Sequence, residues 1–142
     1  MDLVFDIETD DVQATKVWCI VAQDADSGQI YKFAPHQLES ALELLQKADT
    51  LIGHNVIGFD IPVVHRLLGV DLSNIKVIDT LALSRLFNPS REGGHSLGMW
   101  GYRLKFPKHD FSEYERYSKE MLDYCVRDVQ LNTLVYEKLK EE

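Results

Sequence analysis

Four acidic residues lie in segments where a carboxylate is energetically expensive. Asp6 and Glu8 belong to the first apolar strand candidate, where side-chain alternation puts them on one face with Val4. Asp60 stands at a predicted helix start, and Asp128 lies in the last predicted helix. If the four carboxylates converge, each pair repels by about 3 kcal/mol, and the six pairs together by roughly 20 kcal/mol, which equals or exceeds the whole stability of a typical domain. Such a cluster must either take up protons or bind cations.

An all-oxygen ligand set favours Mg²⁺ or Mn²⁺ over zinc. Two divalent ions would neutralise four carboxylates and turn the pocket into an anion site, which reconciles nucleic-acid binding with a formal net charge of −8. Two carboxylate-bound ions suit phosphodiester hydrolysis, in which one ion activates water and both stabilise the developing charge. The acids therefore predict a phosphodiester hydrolase with two Mg²⁺ or Mn²⁺ ions.

Each acid also has a purely structural interpretation. The pair on the first strand could form a solvated face, and Asp60, just before Ile61-Pro62, could cap a helix. Tyr124 and Asp128 are four residues apart and share one helix face, which could instead be exposed to solvent. These alternatives stay open from spacing alone.

Hydrophobic patterning predicts alternating strands and helices around these residues. The strands are expected at 2–7, 17–23, 29–33, 50–53 and 75–78, and the helices at 38–45, 62–68, 79–87 and 118–139. The order β-β-β-α-β-α-β-α predicts an α/β fold in which an antiparallel meander continues into parallel crossovers. We therefore expect a mixed sheet of about five strands, flanked by helices on both faces.

Length and composition are those of one globular domain, and we expect residues 1–142 to form it. No apolar run approaches the roughly 20 residues of a membrane span, and the first residues do not resemble a signal peptide. Cys19 and Cys125 are too few for a disulfide scaffold or a zinc site. The expected location is the cytoplasm, without a membrane partner.

Residues 91–109 combine cations with aromatic side chains. Their net charge is +3 before histidines are counted, and Trp100, Tyr102 and Phe106 alternate with Arg103 and Lys105. Cations that follow a phosphate backbone, interleaved with rings that stack on bases, are typical of single-strand binding. The alternative is that Trp100 packs in the core and the cations are solvated.

Three motifs in order resemble those of a known enzyme group. They read Asp6-Ile-Glu8, Asn55-x3-Phe59-Asp60 and Tyr124-x3-Asp128. This set is similar to the exonuclease motifs of the DEDD (DnaQ-like) superfamily of 3′–5′ exonucleases, tyrosine branch (DEDDy). Within that superfamily, segments 78–86 and 95–104 resemble the proofreading domain of family A DNA polymerases of T7-like phages.

The resemblance implies a ribonuclease-H-like sheet and a role for each motif residue. Asp6 would bridge both ions, Glu8 and Asp128 would bind the nucleophile-side ion, and Asp60 would act on the second. Tyr124 would orient the attacking water, because a tyrosine with a pKa near 10 is a poor base at neutral pH.

The family likeness also implies that Asn55 would help to place the Asp60 loop or the substrate end. Phe59, beside Asp60, is a candidate to stack on the terminal base, with packing in the core as the alternative. Thr9 is a further candidate substrate contact. The expected function is 3′–5′ hydrolysis of single-stranded DNA to nucleoside monophosphates. The chain is too short to include a polymerase, so it would act alone or in trans beside one, as a phage-encoded protein in the host cytoplasm. The alternatives are an exoribonuclease and a non-catalytic domain that docks on a polymerase.

Overall fold

Five strands form one mixed sheet in the computed structural model, which describes residues 1–142. The strands are β1 (Asp2–Thr9), β2 (Val17–Asp24), β3 (Ile30–Phe33), β4 (Thr50–Gly53) and β5 (Lys76–Asp79). Their order across the sheet is β3-β2-β1-β4-β5. β1 pairs antiparallel with β2 and parallel with β4, so the predicted meander and parallel crossovers are both confirmed.

Five α-helices pack around this sheet. They are α1 (Leu38–Gln46), α2 (Ile61–Leu68), α3 (Thr80–Phe87), α4 (Leu97–Arg103) and α5 (Lys119–Lys140), with a 3₁₀ turn at Pro35–Gln37 and a π-helical turn at Val56–Asp60. Four of the helices coincide with predicted ones, whereas α4 was not expected. None of the helices has the combination of length and apolar character that a membrane crossing requires.

Alternation along β1 divides the core between the two faces of the sheet. Leu3, Phe5 and Ile7 belong to a buried cluster that α1 and α2 complete. Val4 belongs to a second cluster, which includes Met121 of α5. The predicted faces are therefore confirmed, and the Val4 face, which carries Asp6 and Glu8, is the one that α5 covers.

The N-terminal half of α5 and its C-terminal half pack on different partners. Met121, Cys125 and Val129 contact the sheet in the second cluster. Farther along, Leu131 and Val135 form a third cluster with Trp100 and Leu139, which attaches α4 to α5. The helix is thus enclosed by the sheet on one side and by α4 on the other, so its polar residues between these contacts are largely withdrawn from water.

Candidate active site

β1 brings two carboxylates into the space beneath α5. The ligand atoms of Asp6, Glu8 and Cys125 all lie within 4.8 Å of one another. The pairing with β2 shifts register directly after Glu8, which faces Cys19, whereas Thr9 faces Val17. A β-bulge of this kind redirects the strand and is common beside active sites. The bulge interrupts the regular β1–β2 pairing directly after Glu8, next to the acidic side chains.

Asp60 reaches the same space from the opposite direction. It is 4% exposed, and its Oδ2 accepts a hydrogen bond from the Ile7 backbone N–H at 3.2 Å. Its side chain makes no capping bond to α2, because Asp60 itself has helical dihedrals at the end of the π-helical turn. The helix-cap interpretation is therefore wrong, and the carboxylate is directed at β1 instead.

Asp79 fixes the turn that leads to Asp60. Its carboxylate accepts hydrogen bonds from the backbone N–H groups of Asn55 and Ile57, at 2.9 and 3.1 Å. It also caps α3 by accepting from the N–H groups of Leu81 and Ala82. One buried side chain thus satisfies donors in both the turn and the helix, which makes Asp79 an organising residue for the site.

A close approach of chain segments explains the glycine before this turn. A Cβ atom at Gly53 would lie 2.0 Å from Val56 Cγ1 and 3.1 Å from the Phe5 carbonyl oxygen. Asn55 then adopts a left-handed conformation with φ 64°, which asparagine tolerates better than most residues. Its side chain is exposed at the end of β4, where the predicted role in placing the substrate end stays a prediction.

α5 contributes Asp128, which is 5% exposed, and Tyr124 one turn earlier. Lys108 lies between them, with its Nζ 3.5 Å from Asp128 Oδ2 and 5.2 Å from the centre of the Tyr124 ring. Phe111 stacks at a tilt on the same ring, with 5.6 Å between centroids. In contrast, Asp123 on the same helix is exposed and pairs with Lys119.

The four predicted acids therefore meet, and their electrostatics reflect it. Burial, followed by the charge of Asp6, raises the pKa of Glu8 to about 10. Burial and the charge of Asp128 raise the pKa of Asp6 to about 7, and burial raises the pKa of Asp128 to about 6 against the opposing charge of Lys108. Burial and the charge of Asp6 also raise the pKa of Asp60 well above its usual range. The raised pKa values mean that full ionisation of this cluster is unfavourable in the absence of a bound cation.

The donor set fits hard divalent ions. The Oδ1 atom of Asp128 is buried and has no hydrogen-bond partner, although buried carboxylate oxygens are normally satisfied. Carboxylate oxygens of this kind are the ligands that Mg²⁺ and Mn²⁺ prefer. The residues present are thus suited to the ions that the sequence predicted.

A cavity of about 310 Å³ opens beside the acids. Glu8 and Thr9 line it together with Phe59 and Tyr114. Thr9 is buried, and its hydroxyl donates to the Asp11 carbonyl oxygen at 2.9 Å, which stabilises the loop at the cavity edge. Phe59 and Thr9 are thus brought to the site that the sequence predicted for them, while their contacts with substrate stay predictions.

The structure contradicts the predicted strand-binding role of Trp100. This residue is 2% exposed and donates its indole N–H to Ser84 Oγ at 3.1 Å. The guanidinium groups of Arg91 and Arg103 lie over its ring, at 4.6 and 5.0 Å from the centroid. The prediction for Trp100 as a stacking platform is wrong, because its faces are already covered by protein.

Arg103 has a structural role in place of the predicted substrate contact. Its guanidinium stacks on Trp100 and donates to the carbonyl oxygens of Glu92 and Gly94, so it holds the 92–94 loop against α4. Lys105 is exposed and takes part in none of the ion pairs, so its contact with a strand remains a prediction.

Two residues of the site were not singled out from the sequence. Lys108 was counted only among the cations of its segment, and no local pattern connects it to Asp128, twenty positions later. Cys125 was considered only in the count of cysteines, yet its Sγ lies 3.7 Å from Asp6 Oδ2. The signal for Cys125 was present, because it directly follows Tyr124 in the third motif.

Comparison with curated proteins identifies homologous sequences. The chain is 27% identical to the DNA polymerase of Enterobacteria phage T3 and 26% identical to that of Escherichia phage T7. Each alignment includes 96% of this chain but only 26% of the polymerase, so the chain spans about a quarter of the length of these relatives.

The alignments extend over 184 residues, which exceeds the 142 of the chain, so the polymerases contain insertions relative to it. No protein-family model matches the chain. The predicted relation to T7-like phage polymerases is confirmed as homology.

Solved structures share the fold. The family B DNA polymerase of the archaeon Pyrobaculum calidifontis superposes with a TM-score of 0.74 at 16% identity, over 97% of this chain and 24% of the polymerase. Brucella melitensis NrnC with bound Mg²⁺ gives 0.71 at 18% identity, over 99% and 72% of the two chains. Trypanosoma brucei RNase D gives 0.70 at 14% identity, over 97% and 57%. The predicted fold, a ribonuclease-H-like mixed sheet flanked by helices, is confirmed.

Proposed function

We propose that this chain is a two-metal-ion 3′–5′ exonuclease that removes nucleoside monophosphates from the end of single-stranded DNA. The observation that carries the proposal is the meeting of four acids from three separate elements in one buried cleft: Asp6 and Glu8 of β1, Asp60 and Asp128. Their pKa values are raised, so the fold bears a cost that a structural role does not explain. Bound cations would remove this cost.

The four carboxylates would hold the ions. Asp6 lies next to the other three acids, which suits it to bind both ions, while the unpartnered oxygen of Asp128 is free to accept one. When bound, the ions supply the Lewis acidity that activates water and stabilises charge on the phosphate. The protein supplies the fixed positions of the oxygens, because Asp60 is held by Ile7 and its turn by Asp79.

Tyr124 would position the attacking water. Burial and the nearby Asp128 raise the pKa of its phenol above the usual value, so it keeps its proton at neutral pH. A protonated phenol donates a hydrogen bond and does not remove a proton. The ring is fixed by Phe111 on one side, and a fixed hydroxyl lowers the entropic cost of orienting water.

The cavity beside Glu8 would receive the terminal nucleotide. Phe59 offers an apolar surface on which a base can stack, and Thr9 borders the same space. None of these lining groups discriminates among bases, so we expect little sequence preference. The position of Asn55 at the end of β4 suits a contact with the substrate end.

DNA is the proposed substrate because the homologous proteins are DNA polymerases. We propose that residues 1–142 act as one exonuclease domain, alone or in trans beside a polymerase during proofreading or end processing. The homology to phage proteins further suggests a phage-encoded enzyme that works in the host cytoplasm.

The test is degradation of matched DNA and RNA oligonucleotides labelled at the 5′ end. With Mg²⁺ or Mn²⁺, the labelled DNA should shorten one nucleotide at a time, and a chelator should stop the reaction. Asp128→Asn should abolish the activity, whereas Asp123→Asn, an exposed acid on the same helix, should retain it.

The possible outcomes separate the competing functions. Faster degradation of RNA would identify an exoribonuclease and overturn the assignment of DNA. Equal activity in Asp128→Asn and the unchanged protein would refute the site. If neither nucleic acid is degraded and calorimetry detects no Mn²⁺ binding, the chain is a non-catalytic docking domain.

A further inference from the structure

Lys108 is the cation that faces the acidic cleft. Its Nζ lies 3.5 Å from Asp128 Oδ2, and its side chain is 30% exposed, whereas that of Asp128 is 7% exposed. It also lines a separate cavity of about 350 Å³, together with Tyr124 and Tyr102. The ammonium group thus connects the buried acids with an opening on the surface.

The backbone directly before Lys108 is anchored to α4 and α5. The Pro107 carbonyl oxygen accepts a hydrogen bond from Arg127 Nε at 3.0 Å, and the Arg127 guanidinium lies 3.4 Å from the Phe106 ring centroid. At Gly101, a Cβ atom would lie 3.0 Å from the Phe106 carbonyl oxygen, so glycine allows this close approach without a shift of the neighbouring backbone. A freely solvated lysine requires no such anchoring.

The location of Lys108 bears on ion binding at Asp128. Oδ2 of this carboxylate pairs with Lys108, whereas Oδ1 has no partner. A divalent ion held at Oδ1 would repel the ammonium group on the same carboxylate, which would favour release of Lys108 from Oδ2. The lysine then needs another anion within reach of its flexible four-carbon stem. Under the proposed function, a phosphate of the bound strand brings that anion to the same cleft.

We propose that Lys108 exchanges partners, pairing with Asp128 in the ion-free protein and with a strand phosphate once divalent ions occupy the acids. This role rests on the proposed exonuclease function and adds a residue to it. Lys108 keeps the empty cleft from accumulating uncompensated charge, and it contributes to substrate binding only after the site is loaded. It is a positioning residue for the strand and does not bind the ions.

The decisive variant is Lys108→Met, which removes the charge and keeps most of the length. Without substrate, calorimetry should show Mn²⁺ binding at least about threefold tighter than in the unchanged protein, because the competing cation is gone. With saturating metal, kcat/KM on single-stranded DNA should fall by about 10- to 100-fold, the usual effect of losing a charged hydrogen bond. Partner exchange predicts that the substitution raises Mn²⁺ affinity and lowers kcat/KM. A lysine that only supports the structure would not raise Mn²⁺ affinity.

Two further variants complete the design. Lys108→Arg keeps the charge, so Mn²⁺ affinity should stay near that of the unchanged protein and kcat/KM should be partly recovered. Lys119→Met breaks an exposed lysine–aspartate pair on α5 and should change neither quantity. Melting temperatures of all variants show whether any loss reflects unfolding.

Strand binding gives a readout that does not require turnover. Anisotropy of a labelled DNA strand with Ca²⁺ should show weaker binding to Lys108→Met, with a salt slope reduced by about 0.7. If the unchanged protein degrades no substrate, the exonuclease proposal fails, while tighter Mn²⁺ and weaker strand binding still support the exchange. Unchanged or weaker Mn²⁺ binding in Lys108→Met overturns it, as does unchanged strand affinity.

Discussion

Replacing Glu8 by glutamine should stabilise the protein when no divalent ion is present. Glu8 is 8% exposed, and its pKa rises from 4.5 to about 10, so at neutral pH folding requires it to take up a proton. Glutamine has similar size and no proton to acquire. At neutral pH the unchanged protein therefore loses folding free energy by protonating Glu8, and Glu8→Gln avoids this loss.

The magnitude depends on pH more than on the folded-state pKa. Below pH 4.5 the carboxyl is protonated in both the folded and the unfolded states, and the cost is absent. Above it, the unfolded state ionises and the folded state does not, so the free energy of unfolding falls by about 1.4 kcal/mol per pH unit. At pH 7 the accumulated cost is about 3 kcal/mol, which corresponds to roughly 10 °C in melting temperature for a chain of this size.

Urea denaturation in a chelator, repeated from pH 5 to pH 8, measures this effect. Glu8→Gln should exceed the unchanged protein in stability by an amount that grows with pH, while Glu43→Gln, an exposed position on α1, should change stability by under about 0.5 kcal/mol. Adding Mg²⁺ should stabilise the unchanged protein more than Glu8→Gln and narrow the gap. A Glu8→Gln protein that is less stable at pH 7, or a gap independent of pH, would refute the reasoning.

Three other predictions follow from the same geometry. Added Mg²⁺ should raise the melting temperature of the unchanged protein more at pH 8 than at pH 5, since the acids must release protons to bind ions; equal shifts in a thermal scan would contradict this. Tyr124→Phe should lower the single-turnover rate constant less than Asp128→Asn does, because it removes water positioning and leaves the ligands in place. Asp79→Ala should cost about 2–3 kcal/mol in urea denaturation, through loss of the α3 cap and of the turn bonds, and should lower activity through a misplaced Asp60.

Regular elements could be predicted because their periodicity is strong. β2 was expected at 17–23 and spans Val17–Asp24, and α3 was expected at 79–87 and spans Thr80–Phe87. Helix α4 was missed because its seven residues include two glycines, which lower helix propensity. It forms because Ser96 caps its first turn and Trp100 packs against α5, and only the first of these leaves a local signal.

The cation-rich segment shows why composition alone misled. Rings alternating with arginines and lysines are typical of strand binding, yet the same chemistry serves within the fold. Arg91 and Arg103 cover Trp100, and Arg127 covers Phe106. The spacing in sequence shows that cationic and aromatic side chains are close enough to interact. Whether these side chains contact nucleic acid or other parts of the protein depends on the tertiary structure.

The acidic cluster, in contrast, could be predicted, because placing four carboxylates in one cleft destabilises a protein unless the cluster has a function. A sequence under selection for stability alone gains nothing from placing four carboxylates in one cleft, since each must be desolvated beside the others. The fold tolerates them because apolar clusters on both faces of the sheet surround the cleft, with Val4 and Val129 packed beside the acids on the α5 side. Lys108 offsets part of the charge at Asp128. The single lysine cannot neutralise four acids, and this deficit of positive charge is the physical reason to expect that the cleft binds divalent ions.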